Sequence, residues 1–303
     1  MLQAHHSRWT NFFLLGDAKL SRADTLVGIS SYDIERHRHH RHVYGGHDPG
    51  VCACGTGSNA AWLTGYADEA LTLADRAISI SEKIEHPFSE SLAWYWATLA
   101  AYGIRDYDLA RERAEALLRV CEKYGFRQWT GTSLVVSGAC RAFAGETAIG
   151  LKLVEDGISE NRQVGQARSI GRLLAISATA HLQAGNLGRA LELLSESIEL
   201  SEKTGLGLLR PEIVRLNVEG PLKVRQIDEQ EAIARLKVAA ALAKQQGALA
   251  LEWRVTMSLA HLYIAVGSHD KARKGLRANY AKFTEGFKSL DLIEGKQLLD
   301  SVT

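Results

Sequence analysis

The residues best suited to metal chemistry are crowded into one stretch near the N-terminus. Between positions 37 and 54 the sequence places these possible ligands: His37, His39, His40, His42, His47, Asp48, Cys52 and Cys54. Zinc and nickel bind imidazole and thiolate, and the candidate ligands are His37, His39, His40 and His47. However, the stretch contains no Cys-x-x-Cys or His-x-x-x-His pair, and Cys52 and Cys54 diverge if they lie on a helix. We therefore interpret it as a solvated connection and expect no metal or other cofactor.

The sequence offers no catalytic arrangement that spacing alone can support. His5, His6 and His261 fall on predicted helices, and residues of a Ser-His-Asp or Cys-His site meet only in the fold. Cys121 and Cys140 stand among apolar neighbours, where a thiol is buried and inert. A Gly-x-x-x-x-Gly-Lys-Ser/Thr phosphate-binding run is also missing. We predict that the chain is not an enzyme.

Aromatic residues are concentrated between positions 62 and 102. The group comprises Trp62, Trp94, Tyr95, Trp96 and Tyr102. Packing between helices is the simpler interpretation, because large rings bury most of their surface in a core. The alternative is a binding groove lined with aromatic side chains.

The elements that position these residues follow a repeat of about forty residues. Glycines recur at 65, 125, 145, 165, 185, 205, 247 and 267. Small residues recur in step in two further series, which are Ala70, Ala110, Gly150, Ala190, Ala232 and Ala272, and Ser58, Thr98, Gly138, Ala178, Gly220 and Ala260. Each series steps by 40 residues, with one step of 42. This period predicts a helical solenoid in which small residues let paired helices approach closely.

Each repeat is predicted to be a pair of helices, A and B. Helix A falls near 51–64, 88–103, 129–144, 170–184, 211–226 and 251–266, and helix B near 67–84, 106–124, 147–164, 188–204, 228–246 and 269–282. Pro49, Pro87 and Pro211 stand at helix starts, with Asp48 as an N-cap. Pro221 lies inside a helix A and is expected to kink it. Gly205 after Lys203 is a typical helix stop.

The small-residue offsets resemble tetratricopeptide repeats, although a period of 40 exceeds the usual ~34. The resemblance implies an all-α, right-handed α-solenoid of helical hairpins. We divide this single array into a helix pair over 1–32, a His/Arg-rich loop over 33–50, six repeats over 51–290 and a C-terminal helix or cap over 291–303. Helix A lines the concave face of such arrays, and the implied groove residues are Asn59, Trp62, Tyr95, Tyr102, Arg172, Asn217, Arg254 and His261.

Three segments support a closer resemblance. They are Leu2-Gln3-Ala4-His5-His6 with Trp9, the run from Arg36 to His40 continuing to Tyr44-Gly45-Gly46-His47-Asp48-Pro49-Gly50-Val51-Cys52-Ala53, and Phe283-Thr284-Glu285-Gly286-Phe287 followed by Asp291-Leu292, Lys296 and Leu298-Leu299. This pattern resembles the helical tail of bacterial class III adenylate/guanylate cyclase-like proteins with a central predicted ATPase domain. In that family the catalytic domains precede the tail. The resemblance therefore implies a non-catalytic regulatory scaffold that binds a protein or peptide, including the N-terminal domains of a parent protein.

Bulk properties narrow the remaining possibilities. A formal net charge of +1 gives no broad field for nucleic acid or an acidic membrane. Four scattered cysteines and the lack of a signal peptide or a long apolar stretch indicate a cytoplasmic protein. Met1 opens almost directly into a helix, so we expect either a longer parent or a partner stacked there. A small-molecule sensor with a hinge at Gly220-Pro221 is the competing hypothesis.

Overall fold

The chain folds into an array of α-helices. The computed structural model describes residues 1–302, except for the side chains of residues 167 and 168. Within this part it contains seventeen helices and no strand. The helices are α1 (Leu2–Leu15), α2 (Ala18–Ser31), α3 (Ile34–His37), α4 (His40–Val43), α5 (Pro49–Leu63), α6 (Ala67–Ile84), α7 (Pro87–Gly103), α8 (Tyr107–Tyr124), α9 (Arg127–Phe143), α10 (Thr147–Gln163), α11 (Ala167–Gln183), α12 (Leu187–Thr204), α13 (Arg210–Lys223), α14 (Glu229–Gln245), α15 (Leu249–Ala265), α16 (His269–Tyr280) and α17 (Leu290–Ser301).

The helices from α5 to α16 form six hairpins that pack side by side in chain order. Helices α5, α7, α9, α11, α13 and α15 are the A helices, and each packs against the next one along the chain. The B helices are α6, α8, α10, α12, α14 and α16. The predicted all-α class and tetratricopeptide-like solenoid are confirmed. None of the described helices combines the length and the apolar character that crossing a bilayer requires.

Helix boundaries follow the local signals in the sequence. Pro49, Pro87 and Pro211 stand in the first turns of α5, α7 and α13, where a missing N–H costs nothing. Asp48 caps α5, because its Oδ1 accepts hydrogen bonds from the backbone N–H groups of Gly50 (2.8 Å) and Val51 (3.0 Å). Gly205 ends α12 in the left-handed conformation, with φ of 71°.

The small-residue series bring paired helices into backbone contact. At Gly138 of α9, an added Cβ would lie 2.6 Å from the carbonyl oxygen of Gly150 in α10. The reverse approach, from Gly150 to the Gly138 oxygen, is 2.5 Å. Only glycine fits such a crossing, and this pair therefore explains why both series contain glycine in the same hairpin.

The His/Arg-rich stretch differs from the predicted loop. It contains two four-residue helices, α3 and α4, and their turns connect the α1–α2 pair to α5. Asp33 caps α3 by accepting a hydrogen bond from the N–H of Arg36 at 2.9 Å. His39 and His42 remain exposed on this connection.

The two ends of the array meet, a contact that the repeat pattern did not predict. The Glu285 carboxylate accepts a hydrogen bond from the N–H of Glu69 at 2.8 Å, and the N–H of Gly286 donates to Asp68 at 3.0 Å. Nearby, the N–H of Ala18 donates to the carbonyl oxygen of Gln246 at 3.1 Å. The solenoid is therefore closed on itself, and its concave face lines a cavity that is open on one side.

Candidate functional site

A cavity of about 530 Å³ lies inside the curve of the solenoid. Its wall is formed mainly by A helices, together with α17 at the closed end. Five of the eight predicted groove residues line it: Trp62, Tyr102, Arg172, Arg254 and His261.

The other three predicted groove residues lie elsewhere. Tyr95 lines a smaller neighbouring cavity, which also includes Arg172. Asn59 is fully buried beneath the wall, where its Oδ1 accepts a hydrogen bond from Arg172 at 3.2 Å and its Nδ2 donates to the Trp96 carbonyl oxygen at 3.0 Å. Asn217 is half-buried on α13, outside both walls. Asn59 thus supports the site without facing it.

One side of the cavity is an aromatic wall. Its members are Trp62, Tyr102, Tyr107 and Phe143. The rings of Tyr102 and Tyr107 are 5.7 Å apart, and those of Tyr107 and Phe143 are 4.7 Å apart. Trp96 instead belongs to the core, so the aromatic cluster divides between the two interpretations drawn from sequence. Tyr107 and Phe143 were missed because they stand at helix ends, outside the offsets carried over from the repeat family.

Three arginines in the cavity form ion pairs with carboxylates. Asp291 accepts hydrogen bonds from Arg254 (2.9 Å) and Arg105 (3.0 Å), and Glu294 accepts two from Arg105 (2.5 and 3.1 Å). Arg254 also donates to the carbonyl oxygen of Gly103 at 2.6 Å and lies over the Trp62 ring. These pairs join α15 and α17 to the end of α7.

Arg215 completes this network on α13. It makes two hydrogen bonds of 2.8 Å to Glu212 and one of 2.7 Å to Glu219, which also accepts from Ser258 at 2.5 Å. Burial alone would raise the pKa of Glu212, but the guanidinium groups of Arg215 and Arg254 outweigh it and lower that pKa to about 2. The Glu212 carboxylate is therefore ionised across the physiological range.

Arg172 differs from the other cavity arginines. Among the described residues, no carboxylate lies within 4.0 Å of its guanidinium. Its contacts are the neutral amide of Asn59 and the Phe13 ring, whose centroid is 5.3 Å away. Burial lowers the pKa of Arg172, although an arginine stays protonated at neutral pH. Arg172 is thus a half-buried cation in the cavity wall that has no carboxylate partner among the described residues.

A second cluster lies where α1 meets the start of α5. The Nε2 atoms of His6 and His47 are 3.0 Å apart, and these atoms and the Cys52 sulfur all lie within 4.8 Å of one another. Of the four histidines proposed from sequence, His47 joins this cluster, while His37, His39 and His40 do not. Sequence reasoning missed His6 because it stands 41 residues before His47.

The cysteines differ sharply in electrostatic environment. Burial disfavours a thiolate at Cys52, yet the imidazoles of His47 and His6 lower its pKa well below the usual value. Burial raises the pKa of Cys54 to about 12, that of Cys121 to about 11 and that of Cys140 to about 12. Cys121 and Cys140 are buried, as predicted.

Comparison with known proteins identifies the fold of this chain. No protein-family model matches it. An uncharacterized protein of Rhizobium meliloti (strain 1021) is 28% identical over 267 residues, which cover 88% of this chain and 26% of that protein. The chain thus spans about a quarter of the length of the curated relative that it matches.

Solved structures with a similar fold are helical-repeat proteins. A Rap protein complexed with competence and sporulation factor shares 13% identity, with a TM-score of 0.62 over 100% of this chain and 87% of that chain. NprR in complex with its cognate peptide NprX shares 12%, with a TM-score of 0.60 over 99% and 82%. The APC/C hetero-tetramer Cut9-Hcn1 shares 15%, with a TM-score of 0.58 over 97% and 50%. These similarities identify the chain as having a tetratricopeptide-like helical-repeat fold.

Proposed function

We propose that this chain is a non-catalytic interaction scaffold whose concave cavity binds a peptide segment of a partner protein. The observation that supports this most directly is Arg172, a cation without a carboxylate partner among the described residues, which faces the same cavity as the aromatic wall. Arg172 is half-buried, and a charge that has lost part of its hydration gains from pairing, so an anionic group on the ligand would bind it.

The ligand is a peptide segment that carries a carboxylate beside an apolar or aromatic side chain. The carboxylate, from Asp, Glu or a chain terminus, would accept hydrogen bonds from Arg172, because guanidinium groups match carboxylates geometrically. The adjacent side chain would pack on the wall that includes Trp62, Tyr102 and Tyr107. Similar folds have been solved with bound peptides, as with NprR and NprX, which supports a peptide over other ligands.

The test is a selection from a random peptide library, half of it with free C-termini and half with amidated ones. Enriched peptides are then measured by fluorescence anisotropy. Arg172→Met keeps most of the side-chain volume but removes the charge, so we expect binding to weaken by about tenfold to hundredfold. The control is Arg235→Met, because Arg235 is exposed on the B helix α14 and pairs with Glu231. Equal binding by the Arg172 variant, or no enriched sequence, would contradict the proposal.

The natural partner in this proposal is the catalytic portion of a longer cyclase/ATPase-type protein, in a reducing cytoplasm. The proposal derives from the sequence resemblance. The much greater length of the Rhizobium meliloti relative and the free thiols of all four cysteines are compatible with it. The test is to sequence the DNA upstream of Met1, express any in-frame domains and measure their binding to this chain. An unrelated upstream sequence would argue against this partner.

A small-molecule sensor is the second candidate function, and the size of the cavity favours it. About 530 Å³ lies within the range of pockets that hold metabolites. A thermal-shift screen against metabolites separates the two functions, because a ligand that binds only the folded state raises the melting temperature. Stabilisation by a metabolite that competes with the selected peptides would favour the sensor.

A further inference from the structure

We propose that His6, His47 and Cys52 form a binding site for a zinc-class divalent transition-metal ion. The site would join α1 to the first turns of α5 and span the connection that contains α3 and α4. It lies outside the concave cavity, so it is independent of the proposed peptide function.

The geometry of the three ligand atoms fits one small ion. The Nε2 atoms are 3.0 Å apart, and all three ligand atoms lie within 4.8 Å of one another. Tetrahedral zinc, with bonds of about 2.0–2.1 Å to nitrogen and about 2.3 Å to sulfur, sets its ligand atoms about 3.3–3.6 Å apart. Ångström-scale side-chain adjustments would therefore bring all three atoms into coordination.

Each imidazole makes a hydrogen bond through its Nδ1 atom, and these outer hydrogen bonds orient both Nε2 atoms toward the position of the proposed ion. His47 Nδ1 lies 2.8 Å from the carbonyl oxygen of Gly45, and His6 Nδ1 lies 2.9 Å from Oε1 of Gln3. Since these oxygens only accept, each Nδ1 donates, and the neutral rings then carry a lone pair on Nε2. Two lone pairs 3.0 Å apart repel unless a cation lies between them. Such carbonyl partners are the usual outer shell of histidine ligands.

Neighbouring side chains contact the cluster and leave it open on one side. The Trp9 ring stacks on His6 at 4.9 Å, and its Nε1–H points at the Cys52 sulfur at 3.5 Å. Cys52 is buried on α5, whereas both histidines are only half-buried, which leaves a path for an ion. Asp48 is already occupied as the cap of α5 and as the acceptor of the Tyr32 hydroxyl hydrogen bond.

The ligand set selects the kind of ion. Two imidazoles and one thiolate suit zinc, cobalt, nickel or copper, whereas magnesium and calcium require oxygen ligands. The described residues supply three ligands, so a tetrahedral ion would take its fourth from solvent or from a partner molecule. Because the ion would cross-link residues 41 positions apart, it would also stabilise the packing of α1 on α5.

The first experiment measures metal binding by the full chain after removal of any affinity tag and treatment with EDTA. Zn²⁺ is titrated against a chromophoric chelator, and Co²⁺ is added as an optical probe. We expect one ion per chain, a thiolate-to-cobalt absorption band and a higher melting temperature with Zn²⁺. Failure to bind either ion would overturn the proposal and leave the two imidazoles sharing a proton.

Variants identify the ligands. Cys52→Ser should abolish the cobalt–thiolate band, and His6→Ala and His47→Ala should weaken Zn²⁺ binding by more than about 100-fold. The matched controls are His39→Ala, an exposed histidine of the same stretch, and Cys54→Ala, a cysteine outside the cluster. Neither control should change binding. Loss of binding in His39→Ala, or an unchanged band in Cys52→Ser, would assign the ion to other residues and overturn the site.

A substitution outside the three ligands tests the site with less risk of unfolding the chain. Gln3→Ala leaves the three ligands in place, removes the hydrogen-bond partner of His6 Nδ1 and a 2.9 Å bond from Gln3 Nε2 to His40 Nδ1, and should weaken Zn²⁺ binding by about 10- to 100-fold. Far-UV circular dichroism and thermal unfolding in EDTA show whether each variant remains folded. A folded Gln3→Ala chain with unchanged affinity would contradict the role assigned to the outer hydrogen bonds.

Discussion

At the residue scale, the arginines that line the cavity differ in the groups that they contact. Arg105, Arg215 and Arg254 each bind at least one carboxylate, so they stabilise the fold. Arg172 has the same side chain, but in the part of the chain that the structure describes its polar and ring contacts are with the Asn59 amide and the Phe13 ring, and it binds no carboxylate. This difference in pairing is why the proposed ligand contact is assigned to Arg172, although Arg254 was predicted for the groove on the same grounds.

The Glu212–Arg215 pair predicts a dependence of stability on acid. The folded-state pKa of Glu212 is about 2, below its ordinary value of 4.5, so its contribution is complete above pH ~4.5 and is lost as the pH falls toward 2. Glu212→Gln should lower the free energy of unfolding at pH 7 by about 3 kcal/mol and reduce its decline between pH 4.5 and 2. Urea denaturation at pH 7 measures the first effect, and urea denaturation at several values between pH 4.5 and 2 measures the second.

The control for this prediction is Glu231→Gln, because Glu231 makes an exposed i,i+4 pair with Arg235 on α14. It should leave the acid dependence close to that of the natural chain. If Glu212→Gln loses stability on acidification as steeply as the natural chain, then the buried pair does not govern the acid response.

At the element scale, the turns between helices show where the repeat has been modified. Most turns carry a glycine in the left-handed conformation, but Glu85, Arg105 and Arg225 occupy that conformation with φ of 47°, 65° and 57°. A side chain there costs about 1–2 kcal/mol. Of these three residues, Arg105 gains contacts with Asp291 and Glu294, and it lies where the two ends of the solenoid meet.

The close crossing of α9 and α10 predicts an unusual response to alanine. Gly138→Ala raises helix propensity by about 1 kcal/mol, but its Cβ would meet the Gly150 carbonyl oxygen at 2.6 Å. A backbone oxygen cannot move aside cheaply, so we expect a net destabilisation of about 2 kcal/mol. The measurement is the free energy of unfolding in urea.

Gly171→Ala in α11 is the matched control. The nearest atom to its added Cβ is the Ser197 hydroxyl at 3.8 Å, an ordinary contact, so this change should be neutral or stabilising. Equal effects of the two substitutions would mean that helix propensity, and not the crossing distance, sets the response.

At the scale of the whole molecule, the sequence predicted features that depend on residues close together in the chain. It did not predict contacts between residues that lie far apart in the chain. Hairpins, proline starts and the Asp48 cap follow from residues a few positions apart, so periodicity was sufficient. The closure of the ends depends on the superhelical curvature, and the His6–His47–Cys52 cluster depends on how α1 packs against the start of α5. No repeat offset encodes either of them. Asn59 shows the same limit within the candidate site, because a helix-A position predicted to face the groove lies beneath it.

Two of the three segments that carried the family resemblance meet in the His6–His47–Cys52 cluster, and the third closes the solenoid. His6 belongs to the first segment, His47 and Cys52 belong to the second, and Glu285 and Asp291 belong to the third. Specific sequence runs therefore mark the long-range contacts, while the generic repeats between them form the curved wall.

The closure of the solenoid predicts that its dimensions depend on one carboxylate. Asp291 is nearly buried and joins Arg105 to Arg254, so Asp291→Asn leaves two guanidinium groups with a weaker partner. We expect a loss of about 3 kcal/mol in the free energy of unfolding and a larger radius of gyration in small-angle X-ray scattering, because the ends can then separate. Asp300→Asn, at an exposed pair with Lys296 on the same helix, should change neither quantity. An Asp291 variant that is less stable but no larger would show that the remaining contacts of Glu285 and Gly286 hold the ends together without it.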